Sequence, residues 1–322
     1  MTTETEELLW IASQEHKLIP REIVLFGIKN KKTLFELLTS DPLLFEGIDK
    51  KIVEKFLKNR EEIQFESYHT IYEKMQQQHV NLITYCDPIF PKFLQKENVR
   101  GFPIMLYHQG KKMRFDNGVA VVGTRNCSTH ASEIAREISR RLAYFGYTIV
   151  AGLARGIDAS AHRGAISVKG KTIAVLPWIY EPYPPEHERL LTEIKKDGCV
   201  ISENFFQSKW NDKYKFLERN AVISGISDVL IAVESSYSGG TRWQVELALS
   251  QNKPVIAMEP ERENELAYDG FTRFVSKGAI KGSNVSEVVE IIKQKFPLKE
   301  TSLDDYVDED EISLPPLRKA TA

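Results

Sequence analysis

The fold is best predicted from residues 119–158, which read VAVVGTRNCSTHASEIAREISRRLAYFGYTIVAGLARGID. A short apolar run ends at Gly123, a helical pattern follows, and a second apolar run ends at Gly152. The apolar residues of the helix recur on one face, and Ser128 or Thr129 can cap its first turn. The stretch therefore predicts a strand, a helix and a second strand, the repeating unit of a parallel sheet.

Strand and helix patterns continue to alternate up to residue 260. The predicted strands of this region are 119–122, 148–151, 172–176, 200–203, 229–233 and 254–258. They are continuously apolar, which is typical of parallel strands covered on both faces. Two earlier apolar runs, 80–85 and 104–107, are expected to add strands at the sheet edge. The sequence thus predicts an α/β fold with a doubly wound, mostly parallel sheet.

Three regions are predicted along the chain. Residues 1–80 have helical patterns only and predict a small helical domain of the SAM or helix–hairpin–helix type. Within it, the FEGID segment at 45–49 resembles half of such a hairpin, and a plain helical bundle is the alternative. Residues 81–298 form the sheet domain, and residues 299–322 are an acidic tail that we expect to be disordered.

The composition limits the classes of function. The 322 residues have a net charge of −2, so any nucleic-acid site must be a local basic patch. Three cysteines, with no zinc-type spacing, favour a reducing compartment and predict no metal site. The N-terminus lacks a signal-peptide pattern, and no apolar run reaches the roughly 18 residues of a membrane span. We expect a cytoplasmic protein with no membrane partner and no cofactor.

Arginine and glycine follow both strands of the 119–158 unit. Gly123, Thr124 and Arg125 follow the first strand, and Gly152 and Arg155 follow the second. Backbone N–H groups beside glycine, together with guanidinium groups, are suited to bind phosphate. The first turn has one of the three glycines of a dinucleotide fingerprint, so a nicotinamide cofactor is poorly supported. The motif predicts an anion site.

Asp158 and His162 follow the second glycine turn. Asp158 can cap the next helix, and His162 lies one helical turn later on the same face. We expect a structural pair rather than an acid–base pair. No set of catalytic residues is recognised elsewhere, and the Tyr183-Pro184 segment is interpreted as shaping a loop.

A third motif combines cations with an aromatic ring. Lys215, Phe216, Arg219 and Asn220 lie within six residues of one predicted helix. Single-stranded nucleic acid is bound by such sets, in which a base stacks on the ring and cations contact phosphates. The alternative is that Phe216 lies in the core and Arg219 pairs with a carboxylate.

A fourth motif follows the strand at 229–233. Ser238, Gly239, Gly240 and Thr241 precede a helix and form a candidate phosphate-binding loop. No Gly-Lys-Ser/Thr follows, so ATP hydrolysis is not predicted. Glu246 lies on the same helix and would be the acid or base if this loop served an enzyme.

These motifs together resemble the DNA-processing protein A (DprA/Smf) family. The matching segments are VAVVGTR (119–125), AGLARGIDASAH (151–162), TIAVL (172–176), GCVISE (198–203), KFLERNAVISGISDVLIAVE (215–234) and SGGT (238–241). The flanking segments DPIFPKFL (87–94), IMLYHQG (104–110) and FTRFVSKGAIKGSNVSEVVEII (271–292) also match. The resemblance covers approximately residues 88–293.

The resemblance implies an extended Rossmann-like fold that binds single-stranded DNA without cutting it. It implies protection of incoming DNA in natural transformation, loading of a RecA-type recombinase, and action as a homodimer. It places Gly123, Thr124 and Arg125 in the DNA site, with residues 215, 216, 219 and 220.

The chain also departs from the family pattern. Met258-Glu259-Pro260 replaces a proline–glycine, and no winged-helix domain is recognised after Phe296. The double glycine at 239–240 resembles the loop of the lysine-decarboxylase-like nucleotide-processing family. The second hypothesis is therefore a nucleotide sensor or nucleotide N-glycosidase that uses residues 238–241 and Glu246.

Overall fold

The computed structural model describes residues 3–61, 66–95, 103–181, 183–207 and 212–299. Within these ranges, nine strands form one sheet in the order β1-β2-β6-β5-β4-β3-β7-β8-β9. The strands are β1 (Asn81–Thr84), β2 (Met105–Gly110), β3 (Gly118–Val122), β4 (Thr148–Ala151), β5 (Thr172–Leu176), β6 (Cys199–Ser202), β7 (Val229–Ala232), β8 (Val255–Met258) and β9 (Ile280–Gly282). The predicted fold class is confirmed.

In the order across the sheet, the seven strands from β6 through β5, β4, β3, β7 and β8 to β9 are parallel. Strands β1 and β2 form an antiparallel edge next to β6. Strand β3 pairs with β4 on one side and with β7 on the other. The chain therefore winds outward in both directions from β3. In doubly wound sheets, ligands bind beyond the carboxyl ends of the strands near such a switch point.

Helices cover both faces of the sheet. Five precede it: α1 (Thr3–His16), α2 (Arg21–Lys29), α3 (Leu34–Thr39), α4 (Lys50–Glu61) and α5 (Glu66–Gln77), with a 3₁₀ helix at Pro42–Phe45. The others are α6 (Thr129–Tyr144), α7 (Ile157–Ile166), α8 (Glu188–Asp197), α9 (Asp212–Gly225), α10 (Gly240–Ser250), α11 (Glu265–Ser276) and α12 (Val285–Lys295), with a 3₁₀ helix at Pro185–His187. None of the helices in the described ranges is long and apolar enough to cross a bilayer.

The N-terminal helices pack against the sheet. Leu9 and Ile11 of α1 belong to the same buried cluster as Tyr107 of β2 and Phe205, which follows β6. The proposed division into 1–80, 81–298 and 299–322 stays a prediction, and residues 300–322 of the tail lie outside the described residues.

Helix α6 begins as its sequence predicts. The Ser128 hydroxyl accepts the Ala131 N–H at 3.0 Å, so Ser128 is the N-cap. Gly146 follows the helix with φ of +98°, a left-handed conformation that favours glycine. Helix α6 packs against β3, the strand that precedes Gly123, Thr124 and Arg125.

The C-terminal part of the sheet contains one strand that the sequence did not predict. The GAIKGSN segment at 278–284 has the glycine-rich pattern of a turn, but Ile280–Gly282 pairs with β8 as β9. A strand of three residues that includes Lys281 and Gly282 has too short an apolar pattern to be recognised. A Cβ on Gly282 would lie 2.5 Å from Val288 Cγ2, so the close packing against α12 favours glycine here.

Candidate nucleic-acid interface

A shallow cleft lies beyond the carboxyl ends of β3, β4 and β5. It is lined by Arg125, Gly152, Ala154, Arg155, Tyr183, Pro184, Phe216 and Arg219. Its free volume is about 30 Å³, close to that of one water molecule. A ligand of nucleotide size would therefore lie across the cleft rather than inside it.

Two glycine turns fix the position of Arg125. Gly123 packs so closely that a Cβ there would lie 2.5 Å from Ile157 Cγ1. Gly156 has φ of +72°, and a Cβ there would lie 2.5 Å from the Thr124 carbonyl oxygen. The turns that follow β3 and β4 are therefore in direct contact, which brings Arg125 to the cleft. Gly123 and Thr124 shape the turn but do not line the cleft.

Arg219 of α9 reaches the cleft by crossing over Gly152. A Cβ on Gly152 would lie 1.0 Å from Arg219 Nη1, so the guanidinium occupies the space that any side chain would need. Arg219 is 7% exposed, and its Nη1 lies 3.8 Å from Asp158 Oδ2. The same Asp158 oxygen accepts the N–H groups of Gly152 and Ala154 at 3.1 and 3.3 Å. Asp158 therefore closes the turn after β4 and also orients Arg219.

The charges of this cluster are shifted by burial and by one another. Burial raises the pKa of Asp158, while Arg219 and the backbone hydrogen bonds lower it. Burial lowers the pKa of Arg219, Asp158 raises it, and the nearby Arg125 lowers it further. Arg219 Nε is buried and has no hydrogen-bond partner within the described ranges. The cluster thus presents positive charge and one unused donor, which is the electrostatic requirement of an anion site.

Aromatic rings form the floor of the cleft. The centroid of the Phe216 ring lies 5.5 Å from Arg125 Cζ and 5.8 Å from Arg219 Cζ. Trp178 and Tyr183 meet the same ring, with centroid distances of 5.8 and 6.1 Å. Phe216 is half-buried, and Tyr183 is 39% exposed. The two arginines therefore lie on a rigid aromatic cluster whose outer surface faces solvent.

Arg155 stands at the rim of the cleft and pairs with Glu186. The side chains of Arg155 and Glu186 are 59% and 43% exposed. The hydrogen bond between the two side chains raises the pKa of Arg155 and lowers the pKa of Glu186. Arg125 forms no ion pair with any residue of the described ranges, so it differs from both Arg155 and Arg219.

Two of the residues predicted on α9 are not brought into the cleft. Lys215 Nζ donates to Asn204 Oδ1 at 2.6 Å and lies 3.1 Å from Glu218 Oε2. Asn220 is half-buried and does not line the cleft. The structure therefore does not bring Lys215 into one cleft with Arg125 and Arg219, because Lys215 faces the loop after β6. A contact of Lys215 or Asn220 with DNA stays a prediction.

The predicted pairing of Asp158 with His162 is also wrong. His162 Nδ1 lies 2.7 Å from Thr172 Oγ1, and Asp158 interacts with Arg219 instead. Burial lowers the pKa of His162 to about 3, so this imidazole is neutral. Asp158 does not cap α7 as expected. Its carboxylate accepts N–H groups that precede the helix.

The loop at 238–241 lies apart from this cleft. Gly239 is the N-cap of α10, Ser238 Oγ lies 3.3 Å from Ser236 Oγ, and Thr241 is buried. None of these residues, nor Gly240, lines the cleft. No group of His, Cys, Asp or Glu side chains in the described ranges is placed to hold a metal ion.

Glu246 is engaged by three donors. Its Oε1 accepts Lys277 Nζ at 2.5 Å, the Tyr237 hydroxyl at 2.9 Å and Arg242 Nε at 3.1 Å. The hydrogen bond from Lys277 is the main reason why the pKa of Glu246 is lowered. An ionised carboxylate held in this way has no proton to donate and is a weak base.

The sequence interpretation missed two aromatic residues at the site: Tyr183, which lines the cleft, and Trp178, which packs against Phe216. Both follow β5, and their position after a predicted buried strand was the available signal. The segment was interpreted as a loop because Pro184 and Pro185 follow Tyr183.

Comparison with known proteins assigns the family. Residues 81–293 match the model of the DNA recombination-mediator protein A family. The chain belongs to this family. A family relative, Protein Smf of Synechocystis, is 31% identical over 240 residues, which are 73% of this chain and 58% of that protein. The DNA processing protein DprA of Bacillus subtilis is 29% identical over 205 residues, which are 63% of this chain and 68% of that protein.

Solved structures of the DNA recombination-mediator protein A family have the same fold. DNA processing protein A of Streptococcus pneumoniae superposes with a TM-score of 0.70 at 23% identity, over 90% of this chain and 98% of that one. DNA processing protein A of Helicobacter pylori, whose structure concerns its single-stranded DNA binding mode, gives a TM-score of 0.58 at 26% identity. That match covers 67% of this chain and 96% of the other.

Proposed function

We propose that this protein binds single-stranded DNA at the cleft of Arg125, Phe216 and Arg219 and does not cut it. The observation that carries the proposal is the half-buried Phe216 ring with two guanidinium groups whose Cζ atoms lie 5.5 and 5.8 Å from its centroid. A base stacked on the exposed part of the ring would bring its phosphates to the arginines. Neither contact reads the identity of the base, so binding should tolerate any sequence.

The family supports this ligand. The Helicobacter pylori relative binds single-stranded DNA, and the family is described as recombination mediators. We infer that this protein acts in the cytoplasm as a homodimer. It would protect single strands and pass them to a RecA-type recombinase during DNA uptake in natural transformation or during recombination.

The second hypothesis, a nucleotide sensor or nucleotide N-glycosidase, has less support. It requires Glu246 to act as an acid or base beside the loop at 238–241. Lys277, Tyr237 and Arg242 already hold that carboxylate in its ionised form. The same three contacts hold the carboxylate against Lys277, Tyr237 and Arg242, so it is not available as an acid or base for a ligand in the loop.

The test is fluorescence anisotropy of a labelled oligo-dT with the wild-type protein and Phe216→Ala. Stacking of one base is worth about 1–3 kcal/mol, so the variant should bind about 5- to 150-fold more weakly. Tyr144→Ala is the matched control, because Tyr144 is 73% exposed at the far end of α6. Equal affinity of Phe216→Ala and the wild type would refute the proposed site.

Duplex DNA and deoxynucleoside monophosphates serve as competitors in the same assay. The proposal expects duplex to compete poorly, because its bases are not available for stacking on Phe216. Absence of oligo-dT binding at low salt, with tight binding of a mononucleotide, would favour the second hypothesis.

A further inference from the structure

The ion pair of Arg155 and Glu186 stands at the rim of the proposed DNA cleft. Glu186 belongs to the 3₁₀ helix at Pro185–His187, which follows β5, and Arg155 belongs to the turn after β4. Around the cleft the three guanidinium groups of Arg125, Arg155 and Arg219 face two carboxylates. One of these, Asp158, is buried beneath the site, whereas Glu186 is exposed beside it.

The pair is held in place by a second contact between the same two segments. His187 is 7% exposed, and its Nδ1 lies 2.8 Å from the carbonyl oxygen of Leu153. His187 follows Glu186 directly, and Leu153 lies two residues before Arg155. The backbones on both sides are therefore fixed, and the carboxylate and guanidinium need little ordering to meet. This distinguishes the pair from two long side chains that meet by chance on a surface.

The two exposed arginines of the cleft, Arg125 and Arg155, differ in whether a carboxylate of the protein competes with phosphate for them. Arg125 has no carboxylate partner in the described part of the chain, so a phosphate can bind it directly. Arg155 is occupied, and a phosphate can bind it only by replacing Glu186. An exposed ion pair is weak, so a phosphate already held near the site by other contacts can make that exchange.

We propose that Glu186 competes with phosphate for Arg155 and thereby weakens the binding of polynucleotides, which reach Arg155, while leaving the binding of single nucleotides unchanged. The inference rests on the proposed function. A mononucleotide has one phosphate, and Arg125 beside Phe216 takes it without competition. A strand has a further phosphate whose effective concentration at Arg155 is high once the first contact has formed, and this phosphate displaces Glu186.

The test compares Glu186→Gln with the wild type, using oligo-dT and thymidine 5′-monophosphate as ligands. Glu193→Gln is the matched control: it also removes one exposed carboxylate, but that carboxylate pairs with Lys196 on α8. We expect Glu186→Gln to bind oligo-dT about two- to five-fold more tightly, the range of one exposed ion pair. Binding of thymidine 5′-monophosphate should stay within about two-fold, and Glu193→Gln should leave both ligands unchanged.

A third variant, Arg155→Ala, tests whether the phosphate reaches this arginine. If Glu186 is displaced, the log–log salt slope of oligo-dT binding should fall by about 0.7, the value for one phosphate contact on a single strand. An unchanged slope would mean that Glu186 stays on Arg155 and would overturn the inference. Equal tightening of both ligands by Glu186→Gln, or equal effects of Glu186→Gln and Glu193→Gln, would also overturn it.

The outcomes separate the two proposals. If wild-type protein binds oligo-dT and Phe216→Ala does not, the proposed function stands whatever Glu186→Gln does. If wild-type protein does not bind oligo-dT at low salt, the proposed function and this inference both fail.

Discussion

Gly152→Ala is the most direct test of how the cleft is built. The Cβ that the substitution adds would lie 1.0 Å from Arg219 Nη1, 2.3 Å from its Cζ and 2.9 Å from its Nη2. Gly152 does not have a positive φ, so alanine brings no backbone strain of its own. The whole effect of the substitution is therefore expected to come from moving one guanidinium group.

The size of the movement sets the size of the effect. Ordinary contact begins near 3.4 Å, so Arg219 Nη1 must move by about 2.4 Å. Its ion pair with Asp158 is already 3.8 Å long and does not survive such a shift. Breaking a buried pair by disturbing one partner costs about 3–5 kcal/mol, less whatever Arg219 regains if it reaches solvent. We expect Gly152→Ala to lower the free energy of unfolding by about 3 kcal/mol and to abolish binding of single-stranded DNA.

Urea unfolding and oligo-dT anisotropy measure the two effects. Gly240→Ala is the matched control, because a Cβ on Gly240 meets nothing within 4 Å. It should leave DNA binding unchanged and should not lower the free energy of unfolding, since alanine in place of a glycine without strain is neutral or stabilising.

The Arg219→Ala background provides a second control. With the guanidinium removed, Gly152→Ala should cost less than about 0.5 kcal/mol. Wild-type stability and binding in Gly152→Ala would refute the placement of Arg219 over Gly152. A full cost that persists in the Arg219→Ala background would refute the assignment of the clash to this side chain.

Three further predictions concern charge. Arg125→Ala should weaken oligo-dT binding and reduce the slope of the log of the binding constant against the log of the salt concentration by about 0.7. Anisotropy between low and moderate salt measures this slope, and an unchanged slope would mean that Arg125 contacts no phosphate. Burial, helped by Glu218, raises the pKa of Glu203 from 4.5 to about 8, against the effect of Lys17 and Lys215. The folded state therefore keeps a proton that the unfolded chain releases. Between pH 4.5 and pH 8 the Glu203 carboxyl should therefore take a few kcal/mol from the free energy of unfolding. Buried neutral histidines such as His162 act in the opposite direction, so the effect is measured by urea unfolding as the difference between the wild type and Glu203→Gln, which should shrink as the pH rises. Glu246→Gln should leave oligo-dT affinity unchanged, because Glu246 lies with Lys277 and Tyr237 outside the cleft. A large loss of affinity in the anisotropy assay would contradict this position.

The sequence predicted the sheet well because its central strands are buried on both faces. Strands β4 and β5 have the predicted bounds, and β3, β6, β7 and β8 differ by one residue at one or both ends. Continuous apolar runs bounded by glycine are a strong local signal, and local patterns are enough to locate such strands. The edge strand β9 has no such signal, since its assignment depends on pairing with β8.

The candidate site was predicted less completely because its partners come from four separate segments. The position of Arg125 after a strand was sufficient to place it at the carboxyl edge of the sheet. The orientation of Lys215 was not predictable, because it depends on Asn204, which follows a different strand. The sequence also left open whether Arg219 pairs with a carboxylate or lines the site. In the structure it does both, through Asp158 and Gly152.

The arrangement of carboxylates around the cleft has a consequence for the roles of its arginines. Arg219 is buried and oriented by Asp158, so it loses little side-chain freedom when a ligand binds, but part of its charge is already compensated. Arg155 is compensated by Glu186, whereas Arg125 forms no ion pair within the described ranges. Arg125 therefore supplies most of the uncompensated charge that attracts a phosphate. Under the proposed function, the affinity for a single phosphate should respond most strongly to Arg125, and the geometry of the bound strand to Arg219.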